Sequence, residues 1–187
     1  MFGDAFGFLV KTLFSLFGIA LIIRAWMYAI RLHPFNPYSQ AVLRITNWLV
    51  QPLRHVAPQT HRFDWPSIIG SWLTALVFLC LTWLLGFGMA PSVGMLPGLA
   101  LAAVLTVLKW TFNLILWVTL IQAVLSWVNP MAPVMAVLHT LTAPLLDPIR
   151  RMLPNTGGLD FSPLVLLIIA QVAMIILGHA VYTAFGL

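Results

Sequence analysis

The sequence predicts an all-α membrane protein with four transmembrane helices in two parallel tandem repeats, each with a Pro-rich cytoplasmic loop that holds an interfacial helix. Hydrophobic residues fill 61% of the 187 positions and charged residues 7%, whereas a soluble domain carries about 25% charged side chains. Four apolar stretches approach or exceed the roughly 20 residues that a helix needs to cross a bilayer. The second half of the chain also repeats the first. These observations exclude a soluble protein.

The spans are located by their content of Leu, Ile, Val, Phe, Ala and Trp. A short uncharged segment, 86–98, contains two prolines and is predicted to be a turn between the second and third spans. The four predicted spans are 6–30, 67–87, 99–128 and 163–185.

The third apolar run is longer than one crossing requires. It extends from 95 to 128 and includes Lys109 and Asn113. At a rise of 1.5 Å per residue Lys109 lies about 27 Å from Trp127, which nearly equals the thickness of the hydrocarbon core. Lys109 is therefore expected to reach one interface, leaving 96–108 as a tilted or interfacial extension. A fifth helix is the alternative.

The internal repeat appears when the sequence is shifted by 96 positions. It divides the chain into a first repeat, 1–90, with the long loop 31–66, and a second repeat, 91–187, with the long loop 129–162. Each repeat crosses the membrane twice, so both insert the same way up, related by an axis along the membrane normal. The matching pairs are Pro37 and Pro133, Leu49 and Leu145, Pro52 and Pro148, Arg54 and Arg150, Pro58 and Pro154, and Asp64 and Asp160.

The charges are concentrated in the two long loops, which hold six of the nine basic residues against three of the four aspartates. Because Lys and Arg are enriched on the cytoplasmic side of membrane proteins, the long loops are predicted to be cytoplasmic and both termini to lie outside. A bacterial inner membrane is the expected location. The same enrichment accounts for the net charge of +5, so no nucleic-acid partner is indicated.

The second loop contains a run of helix-capping and helix-stopping residues. Asp147 is predicted to cap a short helix that begins at Pro148, and Pro154 to end that helix. Gly157 and Gly158 permit a tight turn, and Ser162 precedes Pro163 at the start of the fourth span. In the first loop Gln51 and Pro52 are a weaker version of this pattern, and His61-Arg62 replaces the glycines. The apolar spacing in 38–49 and 133–145 predicts a helix lying in the cytoplasmic interface ahead of each motif.

These motifs, with Asn36-Pro37, closely resemble those of the YggT family of small bacterial membrane proteins with plastid relatives. The resemblance covers both repeats and includes the Pro-Leu/Ile-Arg core and the Asp-x-Ser that ends at Ser162, although Pro66 occupies the matching serine position in the first repeat. It implies an integral membrane protein without established enzymatic activity. It also implies a link to osmotic and potassium tolerance, to cell division and nucleoid or thylakoid organisation, and to assembly of cytochrome complexes.

The loop motifs are the first set of candidate functional residues. Each arginine lies ten residues before its aspartate, so Arg54 is predicted to pair with Asp64 and Arg150 with Asp160. There are two alternatives to this pairing: the arginines contact anionic lipid headgroups, or they form a surface that docks a partner. The set comprises Pro52, Arg54, Pro58, Asp64, Pro148, Arg150, Arg151, Pro154, Asp160 and Ser162.

Polar residues within the predicted spans are the second set. Arg24 is expected to reach the headgroups, and its repeat counterpart, from the alignment of Trp26 with Trp127, is the neutral Leu125. His179 is expected to be a packed, hydrogen-bonded group, with a haem ligand or proton relay as the alternative. The histidines at 33, 55, 61 and 139 have no zinc spacing, so no metal or cofactor is expected. The set comprises Arg24, Lys109, Asn113, Gln122, Gln171 and His179.

No nucleophile with a base, no phosphate loop and no pair of catalytic carboxylates can be assembled, so an enzyme is not expected. The leading hypothesis is a membrane adaptor or assembly factor whose Pro-Arg motifs dock a partner. The partner is expected to be another membrane protein or further copies of this chain in a homo-oligomer. The alternative is a channel or carrier component acting in osmotic or potassium balance, which should have polar groups at mid-membrane depth. Those candidates are few, namely Asn113, Thr119, Gln122, Gln171 and His179, which favours the adaptor.

Overall fold

The computed structural model describes residues 2–32, 36–60, 63–153 and 160–185, and the secondary structure in these ranges is helical throughout. A 3₁₀ turn, Val93–Met95, precedes the fourth helix. The α-helices are α1 (Phe2–Ala29), α2 (Pro37–Val56), α3 (Trp65–Phe87), α4 (Leu96–Val128), α5 (Pro133–Met152) and α6 (Ser162–Phe185).

Four of the helical segments are long and apolar enough to cross a membrane, so the predicted number of spans is confirmed. They are Ala5–Ala29, Trp65–Phe87, Val93–Val128 and Ser162–Ala184. The long third run contains one unbroken α-helix of 33 residues, α4, so the alternative of a fifth spanning helix is not supported. In lipid a helix satisfies its own backbone hydrogen bonds, which is why apolar content and length predicted these elements.

The prediction that Pro148 begins a short helix is wrong. Pro148 lies inside α5 together with Pro144, and Pro52 likewise lies inside α2. A proline inside a helix removes one hydrogen bond and kinks the backbone, but Pro52 and Pro148 are on exposed faces. The opposite faces bury Val50 and Leu146 completely, and this packing holds the helices together across their prolines. The predicted ends of the motif, Pro154 with Gly157 and Gly158, lie outside the described residues, as does His61-Arg62.

Helix α2 has three faces with different surroundings. One face buries Ser39, Thr46 and Val50. A second face exposes the large apolar side chains of Ile45 and Trp48, and the third exposes polar residues such as Arg44 and Gln51. This division is typical of a helix that rests on a bundle at the membrane surface, with one flank toward lipid and one toward water.

The connection between α1 and α2 is set by the end of α1. Arg31 has φ 55°, the left-handed conformation that usually favours glycine. The N–H of Leu32 donates to the carbonyl of Met27 at 2.9 Å, and that of Arg31 to Tyr28 at 3.1 Å, which is a Schellman motif. The Asn36 side chain then accepts a hydrogen bond from the Tyr38 N–H at 3.1 Å and caps α2.

The chain divides into two compact units, residues 1–110 with 177–187, and residues 111–176. In the first unit, the Trp110 ring lies directly against Gly18, where an added Cβ would be 2.2 Å from the ring. Gly98 similarly lets α4 approach the backbone of α6, since an added Cβ would be 2.7 Å from the Ala184 carbonyl oxygen. The repeat boundary near residue 90 stays a prediction.

Candidate functional site

The first unit contains a buried charged cluster centred on Arg24. This side chain extends from α1 and is only 3% exposed. Its Nη1 donates to the Thr46 hydroxyl at 2.8 Å and to the Asn47 Oδ1 at 2.9 Å, both on α2. Its Nε lies 3.4 Å from Oδ2 of Asp64, the residue before α3. One guanidinium group therefore links the first span, the loop helix and the start of the second span.

Asp64 is also buried, at 1% exposure, and receives further hydrogen bonds. The Ser67 hydroxyl donates to its Oδ2 at 2.5 Å and the Gln59 amide to its Oδ1 at 2.8 Å. Its carbonyl oxygen accepts from the N–H groups of Ser67 and Ile68 at 3.0 and 3.2 Å, which begins α3. Since a buried carboxylate is stable only when paired and hydrogen-bonded, these contacts explain how Asp64 can lie inside the unit.

Two predictions are corrected by this cluster. Arg24 does not reach out to the headgroups, because it lies on the face of α1 that packs against α2. Asp64 pairs with Arg24 and not with Arg54, which is exposed at the end of α2. A usable signal was present in the sequence, since a charged residue inside a span requires a partner, and Asp64 stands at the start of the next span.

A cavity of about 200 Å³ adjoins the cluster. In the described structure Nη2 of Arg24 is buried without a hydrogen-bond partner, and the polar contact of Nε is the 3.4 Å ion pair with Asp64. The lining residues come from the end of α1, from α2 and from the segment leading into α3: Arg24, Met27, Tyr28, Leu32, Ser39, Val42, Leu43, Arg54, Gln59 and Asp64.

The second unit has a neutral cluster at the corresponding place. Gln122 on α4 is 5% exposed; its Oε1 accepts a hydrogen bond from the Thr142 hydroxyl on α5, and its amide nitrogen lies 3.0 Å from the His139 Nδ1. Thr46 and Thr142 are 96 positions apart, as the repeat requires. Gln122 therefore corresponds to Arg24, and the predicted counterpart Leu125 is wrong. The alignment of Trp26 with Trp127 is a shift of 101, whereas Arg24 and Gln122 are 98 positions apart, so that alignment placed the counterpart three residues too late.

The repeated aspartate has a different environment in the second unit. Asp160 and Arg150 form the predicted pair, with Nε 2.8 Å from Oδ2, but their side chains are 43% and 39% exposed. The Ser162 N–H donates to Oδ1 at 2.9 Å, and Arg150 also contacts Asp147 at 3.4 Å. Burial opposes ionisation of Asp160, but the hydrogen bonds from Ser162 and Arg150 outweigh it, so its pKa is lowered from the ordinary value.

The remaining loop candidates are mostly on the surface. Pro52, Pro58, Pro148 and Arg151 are exposed, and Ser162 is buried at the start of α6. Pro154 lies outside the described residues.

The other intramembrane candidates do not meet in one site. The Lys109 ammonium lies beside Gly178 of α6, 3.5 Å from where a Cβ would stand, and Asn113 is half-buried. Gln171 and His179 are on the exposed side of α6. The expectation that His179 is a packed group is therefore wrong, because its position on the helix turns it away from the described packing.

The fold and its clusters define a multi-pass helical membrane protein in which each repeat ties a spanning helix to a loop helix through a buried polar contact. The sequence profile of the CCB3/YggT family matches residues 3–85 and 101–181, which fall in the two repeats. The chain belongs to this family, as the motifs in its loops indicated.

Relatives cover nearly the whole chain. A protein of Vibrio alginolyticus, described as uncharacterized and located in the proC 3'region, is 35% identical over 180 residues, covering 95% of this chain and 96% of the relative. The uncharacterized protein YggT of Escherichia coli strain K12 is 37% identical over 166 residues, 88% of this chain and 85% of that protein. An uncharacterized Haemophilus influenzae protein is 34% identical over 163 residues, 86% and 84% of the two chains. No solved structure matches the chain.

Proposed function

We propose that this chain is a non-catalytic adaptor of the bacterial inner membrane, which docks a membrane-protein partner through the charged surface of its second repeat. The observation that carries the proposal is the contrast between the repeated motifs. In the first repeat Asp64 is buried and tied to Arg24, whereas Asp147, Arg150 and Asp160 in the second repeat are exposed together.

This exposed surface has the mixed composition of a docking site. Arg151 stands beside the ion pairs, and two large apolar side chains flank them, Met152 at 86% and Phe161 at 46% exposure. Arginine and exposed apolar side chains are enriched in protein interfaces. Arg150 is held in place by two aspartates while Arg151 is not, so Arg151 is the residue expected to pair with an acidic group of the partner.

The channel alternative has less support. Gln122, a deep polar residue of the second unit, is already occupied by Thr142 and His139, which leaves the Thr119 hydroxyl as a buried polar group without a partner among the described residues of this unit. A conduction path needs polar groups that are free to replace the ion's hydration shell. An effect on osmotic or potassium tolerance would then be indirect, through the docked partner.

The test places a photo-crosslinking amino acid at Met152 in living cells, with Val56 as the matched control. Val56 and Met152 are repeat counterparts, 96 positions apart, and are 83% and 86% exposed. A discrete membrane-protein adduct is expected from position 152 and not from position 56, and it should disappear with Arg151→Glu at an unchanged amount of membrane-inserted protein. Equal adducts at both positions, or an adduct indifferent to Arg151→Glu, would reject the second-repeat surface as the docking site.

A further inference from the structure

The cavity beside Arg24 has room for a polyatomic ligand. It measures about 200 Å³, whereas a single water requires only about 10–15 Å³ of such space. It is a different site from the docking surface, because it belongs to the first unit and is lined by α1, α2 and the segment before α3.

The charge in the cavity wall favours an anion. Arg24 and Arg54 supply two positive charges, and Asp64 is the acidic residue in the wall, which leaves one positive charge uncompensated. Asp64 is also occupied by the hydrogen bonds from Gln59 and Ser67. An anionic group entering the cavity would meet a net positive environment, where it can accept charge-assisted hydrogen bonds.

One guanidinium nitrogen of Arg24 is available to an oxyanion. Both hydrogen bonds that Arg24 donates come from Nη1, and Nε is 3.4 Å from Asp64 in the ion pair, while Nη2 is buried and lacks a hydrogen-bond partner. The N–H groups of Nη2 can donate to an oxygen of a phosphate or carboxylate that enters the cavity. Leaving such a donor buried and unsatisfied is costly, so an oxygen ligand at Nη2 would stabilise the unit.

The rest of the wall distinguishes a lipid from a small soluble ion. Met27, Leu32, Val42 and Leu43 give the cavity an apolar side. An open apolar groove of about 390 Å³ lies on the same three helices, lined by residues that include Phe17, Trp48 and Leu73. Phe17 is about 10 Å from Arg24 along α1 at the helical rise per residue. A phosphate at Arg24 and an acyl chain in the groove therefore suit one phospholipid molecule.

We propose that the first repeat binds the phosphate group of an anionic phospholipid between Arg24 and Arg54. The described residues of the second repeat form no equivalent site, because Gln122 replaces Arg24 and its amide is already bonded to Thr142 and His139. Each chain therefore holds one such lipid. Inorganic phosphate offers the same oxygens without the acyl chain and binds more weakly.

The experiment measures the melting temperature of the purified full-length chain in detergent while phosphatidylglycerol, phosphatidylcholine or inorganic phosphate is added. Phosphatidylglycerol is expected to raise the melting temperature in a saturable manner, and native mass spectrometry to show one retained molecule per chain. Phosphatidylcholine should have little effect because it carries no net charge. If inorganic phosphate raises the melting temperature as strongly as phosphatidylglycerol, the cavity binds phosphate but the proposal that a phospholipid supplies that phosphate is rejected.

Two substitutions make the test specific. Arg54→Gln should weaken phosphatidylglycerol binding about ten-fold, the equivalent of one charge-assisted hydrogen bond, without lowering the melting temperature of the lipid-free chain, because Arg54 is exposed. Arg150→Gln, at the equivalent position of the second repeat, should leave binding unchanged. Equal stabilisation by phosphatidylglycerol and phosphatidylcholine would overturn the site. An equal loss of phosphatidylglycerol binding in Arg54→Gln and Arg150→Gln would also overturn it, and water would then be the partner of Arg24 in the cavity.

Discussion

The two repeats carry different chemistry at matching positions of the sequence. Thr46 and Thr142 occupy the same place on the loop helix, and each contacts a polar residue of the preceding span. That residue is the cation Arg24 in the first repeat and the neutral Gln122 in the second. The aspartate before the following span differs in the same way. Asp64 is buried and pairs with Arg24, whereas its counterpart Asp160 is exposed and pairs with Arg150.

This difference indicates that burial, more than sequence spacing, determines what a repeated charge does. The separation between arginine and aspartate is ten residues in both loops, yet only the second loop forms that pair. When a charged residue such as Arg24 is buried between helices, a nearby acidic residue pairs with it, because an unpaired buried charge strongly destabilises the fold. The second repeat has no buried cation in this place, and its Asp160 remains available at the surface.

The largest expected effect tests this contrast directly. Asp64→Ala leaves Arg24 charged and buried without its partner, which should cost about 3–5 kcal/mol. Asp160→Ala removes an exposed pair and should cost about 0–1 kcal/mol. Thermal unfolding in detergent measures both. The double variant Arg24→Gln/Asp64→Asn should recover most of the loss by imitating the neutral second repeat; equal losses for the two aspartates would remove the distinction between the repeats.

The second effect concerns the packing that holds α1 in place. Gly18→Ala puts a Cβ 2.2 Å from the Trp110 ring, and such overpacking should cost about 1–3 kcal/mol. Gly86→Ala is the control, since nothing lies within 4 Å of its added Cβ. Thermal stability should fall only with the first variant, and Gly18→Ala/Trp110→Leu should restore part of it. If Gly18→Ala is harmless, the close approach of α4 does not constrain the first repeat.

The third effect is the coupling in the exposed pair of the second repeat. Arg150→Ala and Asp160→Ala should each lower the melting temperature slightly, and the double variant should cost less than their sum. The coupling is expected within about 0–1 kcal/mol, because both side chains contact water.

The pH dependence of this pair gives an independent check. Because folding lowers the pKa of Asp160, its stabilisation is fully present above the ordinary aspartate pKa of about 3.9. It is lost as the pH falls through the lower value in the folded state. The difference in melting temperature between wild type and Asp160→Ala should therefore vanish in acid. A difference that grows as the pH falls would contradict the assignment.

The smallest effect tests the linker that precedes the loop helix in the first repeat. Arg31→Gly should raise stability by up to about 1 kcal/mol, because its φ of 55° is unfavourable for a side chain and natural for glycine. Arg44→Gly, on the exposed face of α2, is the charge-matched control and should lower stability by about 1 kcal/mol. Thermal unfolding compares the two, and a loss of stability with Arg31→Gly would mean that the arginine side chain makes a necessary contact.

The sequence by itself determined the elements and their repetition. Helix length and apolar content are local properties, and a bilayer leaves the backbone few other ways to satisfy its hydrogen bonds, so four spans could be read from composition. The shift of 96 positions likewise predicted matching loop helices and the Arg150–Asp160 pair, whose partners lie close in the chain and near the surface. The ends of these helices were less predictable, because packing of Val50 and Leu146 carried α2 and α5 through their prolines.

Only the tertiary structure decided which polar groups share a buried environment. Arg24 and Asp64 are 40 positions apart, and Gln122 and Thr142 are 20 apart, so no local pattern joins them. Their pairing depends on which face of one helix packs against which neighbour. If α1 were rotated about its axis by one residue, the Arg24 side chain would no longer point toward α2 and Asp64. The cavity beside the unsatisfied Nη2 of Arg24 follows from the same packing, since it exists only where α1, α2 and the start of α3 leave space between them.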